Sequence, residues 1–319
     1  MPALSATSVL PDWAAPLSGR IKRDYPLGPL TTLKIGGPAD WYLPARSPEE
    51  LAEALRCARR GGIPVTFLGD GSNVLISDLG IRGLVVHNRA KLIERRGNNL
   101  YAHSGALLGD LVNRSRTEAL SGLEFAAGIY GSVGGAVFGN AGAYGKAMAD
   151  VILTASVLNQ DGEQLKVETR DFNFTYRKSA CREKGWIVLD SEFGLQPADS
   201  ESVGAEIDRI ITIRSAKLPT DLPSAGSYFK NIEDPGAEYG KTPAGKLLEA
   251  VGAKSMQVGG AGVFEKHANV IVNRGGATAA DVLALADLMK RAVFKEYGIE
   301  LHPEVRFLGE PMPGCDVRT

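Results

Sequence analysis

Residues 128–145 read GIYGSVGGAVFGNAGAYG, and the reading of the whole chain turns on them. Seven are glycine (128, 131, 134, 135, 139, 142 and 145), and most of the others are small. An interior glycine costs a helix about 1 kcal/mol relative to alanine, so no ordinary helix is expected here. Without Cβ atoms the backbone can take positive φ and approach a ligand closely. Exposed N–H groups in such a segment suit a phosphate or pyrophosphate. Val133, Val137, Phe138 and Tyr144 are too apolar for a solvated linker.

Working outward, residues 31–47 (TTLKIGGPADWYLPARS) predict two short strands, 33–36 and 41–43, around Gly36-Gly37. Ser47-Pro48-Glu49-Glu50 is a helix start with a capping box. Leu51, Ala54, Leu55 and Ala58 then repeat at helical spacing up to Gly61-Gly62. The strand 63–68 runs into GDGSN, residues 69–73. This second glycine turn lacks the third glycine of a dinucleotide fingerprint and is followed by another strand, which excludes a Rossmann reading. Its backbone N–H groups, with Ser72 and Asn73, still suit a phosphate.

From Val151 the pattern turns β-rich, with Asn159–Gly162 (NQDG) as a hairpin signal. A helix is expected over 206–214, and Pro219–Pro223 breaks the chain. Beyond it come a helix near 246–251, a strand at 267–273, and a long helix capped by Thr278 with Asp281 at its third position. Its expected stripe is Val282, Leu285, Leu288/Met289 and Ala292. Residues 299–308 read as a strand interrupted by Pro303.

A chain of 319 residues with formal net charge -1 carries no basic field for nucleic acid or a membrane surface. Three dispersed cysteines (57, 181, 315) fit a reducing compartment. Cys57 is expected to be a buried small hydrophobe. No signal peptide and no membrane span are read, and the cytoplasm is the expected location. No metal-ligand spacing appears, and the four histidines read as structural. Ser227, on the turn-like segment GSYFKN, is ordinarily a turn former. Arg177, Arg214, Lys217 and Lys230 sit near Gly, Ser or Tyr punctuation, so they can line a pocket for carboxylate and phosphate groups. Glu304 and Arg306 alternate and share one strand face. If that face is buried, they must pair or meet a ligand.

Together, TTLKIGGPAD, LGDGSNVLISD, GSVGGAVFGNAGAYG, FTYRKS, RSAKLP, GSYFKN, KHANVIVN and HPEVRFLG resemble, in order, the UDP-N-acetylenolpyruvoylglucosamine reductase family. The short connection from Tyr176-Arg177 to Arg214 resembles its second type. The resemblance implies an α+β chain: a two-subdomain FAD-binding module of the vanillyl-alcohol oxidase (PCMH) type plus a C-terminal α/β substrate-binding domain. The corresponding division is a flexible tail (1–20), FAD subdomain 1 (21–86, joined by 301–319), FAD subdomain 2 (87–216) and a substrate domain (217–300).

The resemblance further implies non-covalent FAD, with NADPH as reductant and UDP-N-acetylglucosamine enolpyruvate as substrate, in peptidoglycan precursor synthesis. Its cofactor residues fall at Thr32, Gly36, Gly69, Gly71, Ser72, Asn73, Gly131, Ser132, Gly134 and Gly135. Ser227 matches the general acid, while Arg177 and Glu304 match the groups that stabilise the enol-like intermediate. Tyr176, Arg214, Lys217, Lys230, Asn231 and Arg306 match substrate-binding positions. Tyr130 stands where the family usually has proline, and Gly139 where a larger residue is common. A monomer is expected. Two other readings use the same residues: a sugar or alcohol oxidase on the same module, and a non-catalytic nucleotide-sugar binder.

Overall fold

Ser47 starts the first helix as its sequence requires. In the computed structural model, which describes residues 10–312, its hydroxyl accepts the Glu50 N–H at 3.3 Å, and Pro48 opens α1 (Pro48–Arg60). Glu50 does not complete the expected box. Its carboxylate takes the Arg46 N–H at 2.7 Å, one residue further back. The strands around α1 are β1 (Lys22–Pro26), β2 (Pro38–Ala45), β3 (Val65–Leu68), β4 (Val74–Ile76) and β5 (Ile81–Asn88). Four of them form a sheet ordered β1-β2-β5-β3, antiparallel at β1/β2 and parallel elsewhere. The apolar stripe of α1 packs on Leu43, Leu84 and Val86 of that sheet.

Two expectations in this region are corrected. Residues 33–36 form no strand: the Thr31 hydroxyl accepts the Ile35 N–H at 3.2 Å, and Lys34 takes a φ of 58°, so the chain folds back on itself. Residues 12–17, assigned to a loose tail, form a 3-10 helix (Asp12–Leu17) with Leu17 buried and Trp13 edge-on to Trp41. The rest of the expected tail, residues 1–9, and Cys315 lie outside the described residues.

The second region holds β6 (Ile93–Arg96), β7 (Asn99–His103), α2 (Leu108–Thr117), α3 (Val133–Phe138), β8 (Ile152–Leu158), β9 (Gln164–Glu168), β10 (Ile187–Gly194) and α4 (Ser200–Ser215). Its sheet is antiparallel throughout, in the order β9-β8-β10-β7-β6. The NQDG segment closes the β8/β9 hairpin, where the Gly162 N–H reaches the Asn159 carbonyl at 3.1 Å. Helix α3 corrects the reading of the glycine stretch. Ser132 caps it by accepting the Gly135 N–H at 3.2 Å, and Val133 and Val137 are buried in the core, which outweighs the poor helix propensity of two glycines.

The third region contains β11 (Ser224–Ser227), α5 (Ala244–Ala250), β12 (Gln257–Val258), β13 (Ala261–Phe264), β14 (His267–Asn273) and α6 (Ala279–Tyr297). Its sheet order is β11-β14-β13-β12. Thr278 and Asp281 form the expected capping box on α6. The buried stripe is Val282, Leu285, Met289 and Val293; Leu288 is exposed and Ala292 only half-buried, because the stripe drifts around a helix of this length. Only the last part of 299–308 is a strand, β15 (Arg306–Leu308). It leaves the third region to pair in parallel with β4, Arg306 opposite Val74.

Candidate active site

The return of β15 delivers the end of one segment to the turn after β3. The Arg306 N–H donates to the Asn73 carbonyl at 3.1 Å, and the Asn73 side-chain amide reaches the Glu304 carbonyl at 3.3 Å. The second glycine segment meets the same turn from the other side, with the Ser72 hydroxyl donating to the Tyr130 carbonyl at 3.0 Å. A Cβ on Gly69 would collide with Ser132 Oγ, and one on Gly131, at φ +141°, would lie 2.9 Å from Ser72 Oγ. Both glycines are needed for the two turns to approach.

The N–H groups of Val133, Gly134 and Gly135 are occupied by Ala106, Ser104 and Ser132. This departs from the expectation of one long run of open donors. Those of Gly71, Ser72, Gly131 and Ser132 have no acceptor among the described residues. The cradle is therefore made of open donors on two turns in contact, residues 69–73 and 130–132, a disposition suited to the two phosphates of a dinucleotide.

These turns form one wall of a cavity of 1220 Å³. A pocket for one small ligand is about 300–1,000 Å³, so this one has room for a dinucleotide and a second molecule. Opposite the turns stands a tight hairpin in which Thr175 and Lys178 exchange both backbone hydrogen bonds, each 3.1 Å. Tyr176 and Arg177 are its two tip residues, Arg177 at φ +56°. Asn140 holds the hairpin to the glycine segment through the Thr175 carbonyl at 2.9 Å, and the Ser179 hydroxyl does so through the Phe138 carbonyl at 2.7 Å.

Ser227 reaches the cavity from the third region. Gly226, at φ +74°, bulges the strand, and the Tyr228 N–H pairs with the Asn269 carbonyl at 2.7 Å. Buried Tyr228 and Phe229 anchor the segment below. Its other edge carries residues 302–304: the Glu304 N–H donates to the Tyr228 carbonyl at 2.7 Å, and the Lys230 N–H to the His302 carbonyl at 2.9 Å. Val305 points into the core while Glu304 and Arg306 face the cavity, the alternation expected from the sequence.

Glu304 Oε1 lies 2.7 Å from Arg177 Nε, an ion pair in which both side chains are about four-fifths buried. Burial pushes the Glu304 carboxyl above the ordinary range, although Arg177 and Lys230 pull it down. Burial lowers the Lys230 ammonium, helped by Lys178, Arg182 and Arg177, and lowers the guanidinium of Arg306, helped by Arg182. Burial also lowers Arg214, whose Nε donates to the Gly128 carbonyl at 3.1 Å. Among the described residues no carboxylate stands within ion-pair distance of Lys230, Arg214 or Arg306. Crowded, desolvated cations of this kind are complemented by a polyanionic ligand.

Seventeen of the nineteen expected site residues line this one cavity; Gly36 and Lys217 do not. Gly36, at φ +146°, sits against Ile76 instead, and Lys217 is exposed just past α4. Sequence reasoning missed Arg182, which lines the cavity just after the FTYRKS block, and Asn140, whose φ of +45° has its only signal in the Gly-Asn dipeptide. Cys57 is buried, as expected for a small hydrophobe. His87 is buried with its Nδ1 2.9 Å from the Tyr42 hydroxyl, and burial lowers its pKa to about 4, as fits a structural residue.

A family model described as "FAD binding domain" matches residues 39–168, the span that carries both glycine turns. With the paired N–H cradle and the oversized cavity, this defines an FAD-dependent oxidoreductase. A second family model, "UDP-N-acetylenolpyruvoylglucosamine reductase, C-terminal domain", matches residues 218–308. The UDP-N-acetylenolpyruvoylglucosamine reductase of Synechococcus sp. (strain JA-3-3Ab) is 42% identical over 300 residues, 92% of this chain and 93% of that protein. That of Moorella thermoacetica is 43% identical over 286 residues, 89% and 92% of the two chains. The crystal structure of UDP-N-acetylenolpyruvylglucosamine reductase from Thermus caldophilus superposes with a TM-score of 0.77 at 33% identity, covering 91% of this chain and 99% of that one. The chain belongs to the UDP-N-acetylenolpyruvoylglucosamine reductase family. Its architecture is accordingly an FAD-binding module followed by that family's C-terminal domain.

Proposed function

We propose that this enzyme reduces UDP-N-acetylglucosamine enolpyruvate to UDP-N-acetylmuramate with NADPH as the electron source, in peptidoglycan precursor synthesis. The observation that carries the reading is that Ser227, Arg177 and Glu304 face one cavity, joined through the Tyr228–Glu304 backbone bond and the Arg177–Glu304 ion pair. The residues present fit FAD: two glycine turns press together, N–H groups along both lack acceptors among the described residues, and a Cβ at Gly69 would fill the space between them. Gly69, Gly71, Ser72, Asn73, Gly131 and Ser132, with Thr32 beside Gly71, would hold it. When bound, FAD supplies two-electron chemistry, accepting hydride from NADPH and giving it to C3 of the vinyl ether.

The chain's own residues handle charge and protons. Addition at C3 leaves negative charge at C2 and over the substrate carboxylate. Arg177 offsets that charge, and Glu304 fixes the guanidinium through its 2.7 Å contact. Ser227 donates its hydroxyl proton to C2, completing the lactyl ether. A serine is a weak acid, and the positive charge of Arg177 and Lys230 in the same cavity favours the alkoxide it leaves. Tyr176, Arg214, Lys230, Asn231 and Arg306 hold carboxylate, sugar and diphosphate. Tyr176 is itself positioned by the Asn231 N–H at 3.3 Å and by Lys241 over its ring at 4.1 Å.

Action as a cytoplasmic monomer belongs to the same proposal. So does the division into FAD subdomains at 21–86 with 301–319 and at 87–216, and a substrate domain at 217–300. Among the described residues no helix is long and apolar enough to cross a membrane.

The test is an anaerobic visible spectrum followed through NADPH and then UDP-N-acetylglucosamine enolpyruvate. Bleaching by NADPH and recovery with the second compound support the reading. Bleaching without recovery sinks the substrate assignment and favours an oxidase on the same module.

A further inference from the structure

Residues 227–230 carry three groups of the site on one stretch of backbone: Ser227 and Lys230 themselves, and Glu304 through its N–H bond to the Tyr228 carbonyl. This stretch leaves its sheet early. β11 pairs with β14 at Ser224/Val272 and, past the bulge at Gly226, at Ser227/Val270. Next the Tyr228 N–H reaches the Asn269 carbonyl at 2.7 Å, but the return bond that completes an antiparallel pair is not made. The Asn269 N–H goes instead to His267 Nδ1 at 3.2 Å, which leaves the Tyr228 carbonyl for Glu304. Where backbone pairing stops, a side chain takes over. Asn269 Oδ1 accepts the Phe229 N–H at 2.9 Å, and Asn269 Nδ2 donates to the Phe229 carbonyl at 2.8 Å. Both residues are buried. A short amide offers Phe229 an acceptor and a donor at once; an ionised aspartate only accepts, and a leucine does neither.

We propose that Asn269 is a positioning residue for proton transfer to the substrate: its amide sets where Ser227 and Lys230 stand against the Arg177–Glu304 pair, although Asn269 itself does not line the cavity. Without that amide the Phe229 N–H and carbonyl are buried polar groups with no partner, a state that folded chains avoid. The segment regains partners only by pairing with the β14 backbone or by turning to water. Either movement carries Ser227 and Lys230 with it and disturbs the Tyr228 carbonyl that holds Glu304. A displacement of about 1 Å at reacting groups costs about 10²-fold in rate. The assignment rests on the reductase reading.

The experiment uses FAD-loaded enzyme and its Asn269→Asp and Asn269→Leu variants, with the flavin photoreduced so that NADPH binding does not enter. Reoxidation by saturating enolpyruvyl substrate is followed in a single turnover across pH. At alkaline pH both variants reoxidise about 10²-fold more slowly than the parent. Burial raises the pKa of a carboxyl, so as pH falls from about 8.5 to about 6 the new carboxyl of Asn269→Asp takes up a proton, and its O–H replaces the lost donor. The rate of Asn269→Asp then climbs back toward the parent's, while that of Asn269→Leu stays low. His267, Tyr228, Lys230 and Glu304 on the same segments, Arg177 against Glu304, and Lys217, Glu249 and Lys254 around His267 are all present in the parent, whose own profile is divided out. FAD content reports folding. A parent-like rate for Asn269→Asp at alkaline pH overturns the proposal. So does a slow rate that acid does not restore, or loss of FAD at every pH, since each assigns Asn269 to packing alone. Parent enzyme whose reduced flavin is never reoxidised by the enolpyruvyl compound overturns the reductase reading itself, a separate result.

Discussion

Replacing Gly131 by alanine tests the joint between the two glycine turns. At φ +141° the new residue is strained by about 1–3 kcal/mol. Its Cβ would also lie 2.9 Å from Ser72 Oγ, closer than real contacts allow. Ser72 can rotate away, but only by giving up its 3.0 Å bond to the Tyr130 carbonyl, worth about 0.5–1.5 kcal/mol. The sum is about 2–4 kcal/mol, concentrated where the two turns meet. If the turns part rather than the whole domain unfolding, the loss appears in cofactor affinity as a factor of about 30 to 1,000. Gly139→Ala is the internal control. Gly139 has a negative φ, and its nearest neighbour, the Gly135 carbonyl, stands at an ordinary 3.4 Å. That variant should match the parent, or gain about 0.5 kcal/mol from a less flexible unfolded chain. FAD titration into apoprotein, followed by flavin fluorescence, reads both, with urea unfolding of the apoproteins reporting any global loss. Equal FAD affinity for Gly131→Ala and Gly139→Ala would refute the argument that Gly131 sets the cradle.

Further expectations follow from the same geometry. Ser227→Ala should slow substrate reduction by about 10²–10⁴-fold while flavin bleaching by NADPH keeps its rate, as stopped-flow absorbance of each half-reaction would show. Equal rates in both half-reactions would remove Ser227 from proton transfer. For Glu304, burial raises the folded-state pKa, so the protonated form is the one folding prefers. The stability it contributes is full below the unfolded value of about 4.3 and is lost as pH rises through the raised folded value. Glu304→Gln should therefore unfold at a relatively higher temperature than the parent as pH climbs through that window, while losing activity. A gap that shrinks with pH would mean that the Arg177 pairing dominates instead. Arg306→Met removes a half-buried cation whose guanidinium has only the Phe138 ring, at 4.7 Å, as a described partner. It should stabilise the ligand-free protein by about 1 kcal/mol and weaken UDP-sugar binding, checked by urea unfolding and by KM. Unchanged KM would take Arg306 out of the substrate site.

What sequence made legible was local chemistry with a fixed geometric demand. Ser47-Pro48 and Thr278…Asp281 cap their helices because a short polar side chain at that spacing satisfies otherwise orphaned N–H groups. Val305 between Glu304 and Arg306 falls in the core as expected, although residues 304 and 305 lie just before β15, because the Glu304 and Arg306 N–H groups are tied to the Tyr228 and Asn73 carbonyls. Leu33–Gly36 misreads because the side chain of Thr31 offers the backbone an alternative to a sheet partner. Helix α3 was hidden for the opposite reason: burial of Val133 and Val137 overrides intrinsic propensity, and burial is a property of the fold. Lys217 looked like the other cations of the site, but α4 ends so that Arg214 faces the cavity and Lys217, three residues on, does not.

The parallel pairing of β15 with β4 joins positions separated by most of the chain; the nearby contact between Asn73 and Glu304 spans 231 residues. A ribosome adding about 5–20 residues per second makes the Gly69–Asn73 turn many seconds before it makes Glu304 and Arg306. During that interval the turn lacks the strand that backs it and the acid that faces it. The end of the cavity that carries Glu304 and Arg306 is thus a late product of synthesis, and a nascent chain can bury much of its first two sheets before that wall exists.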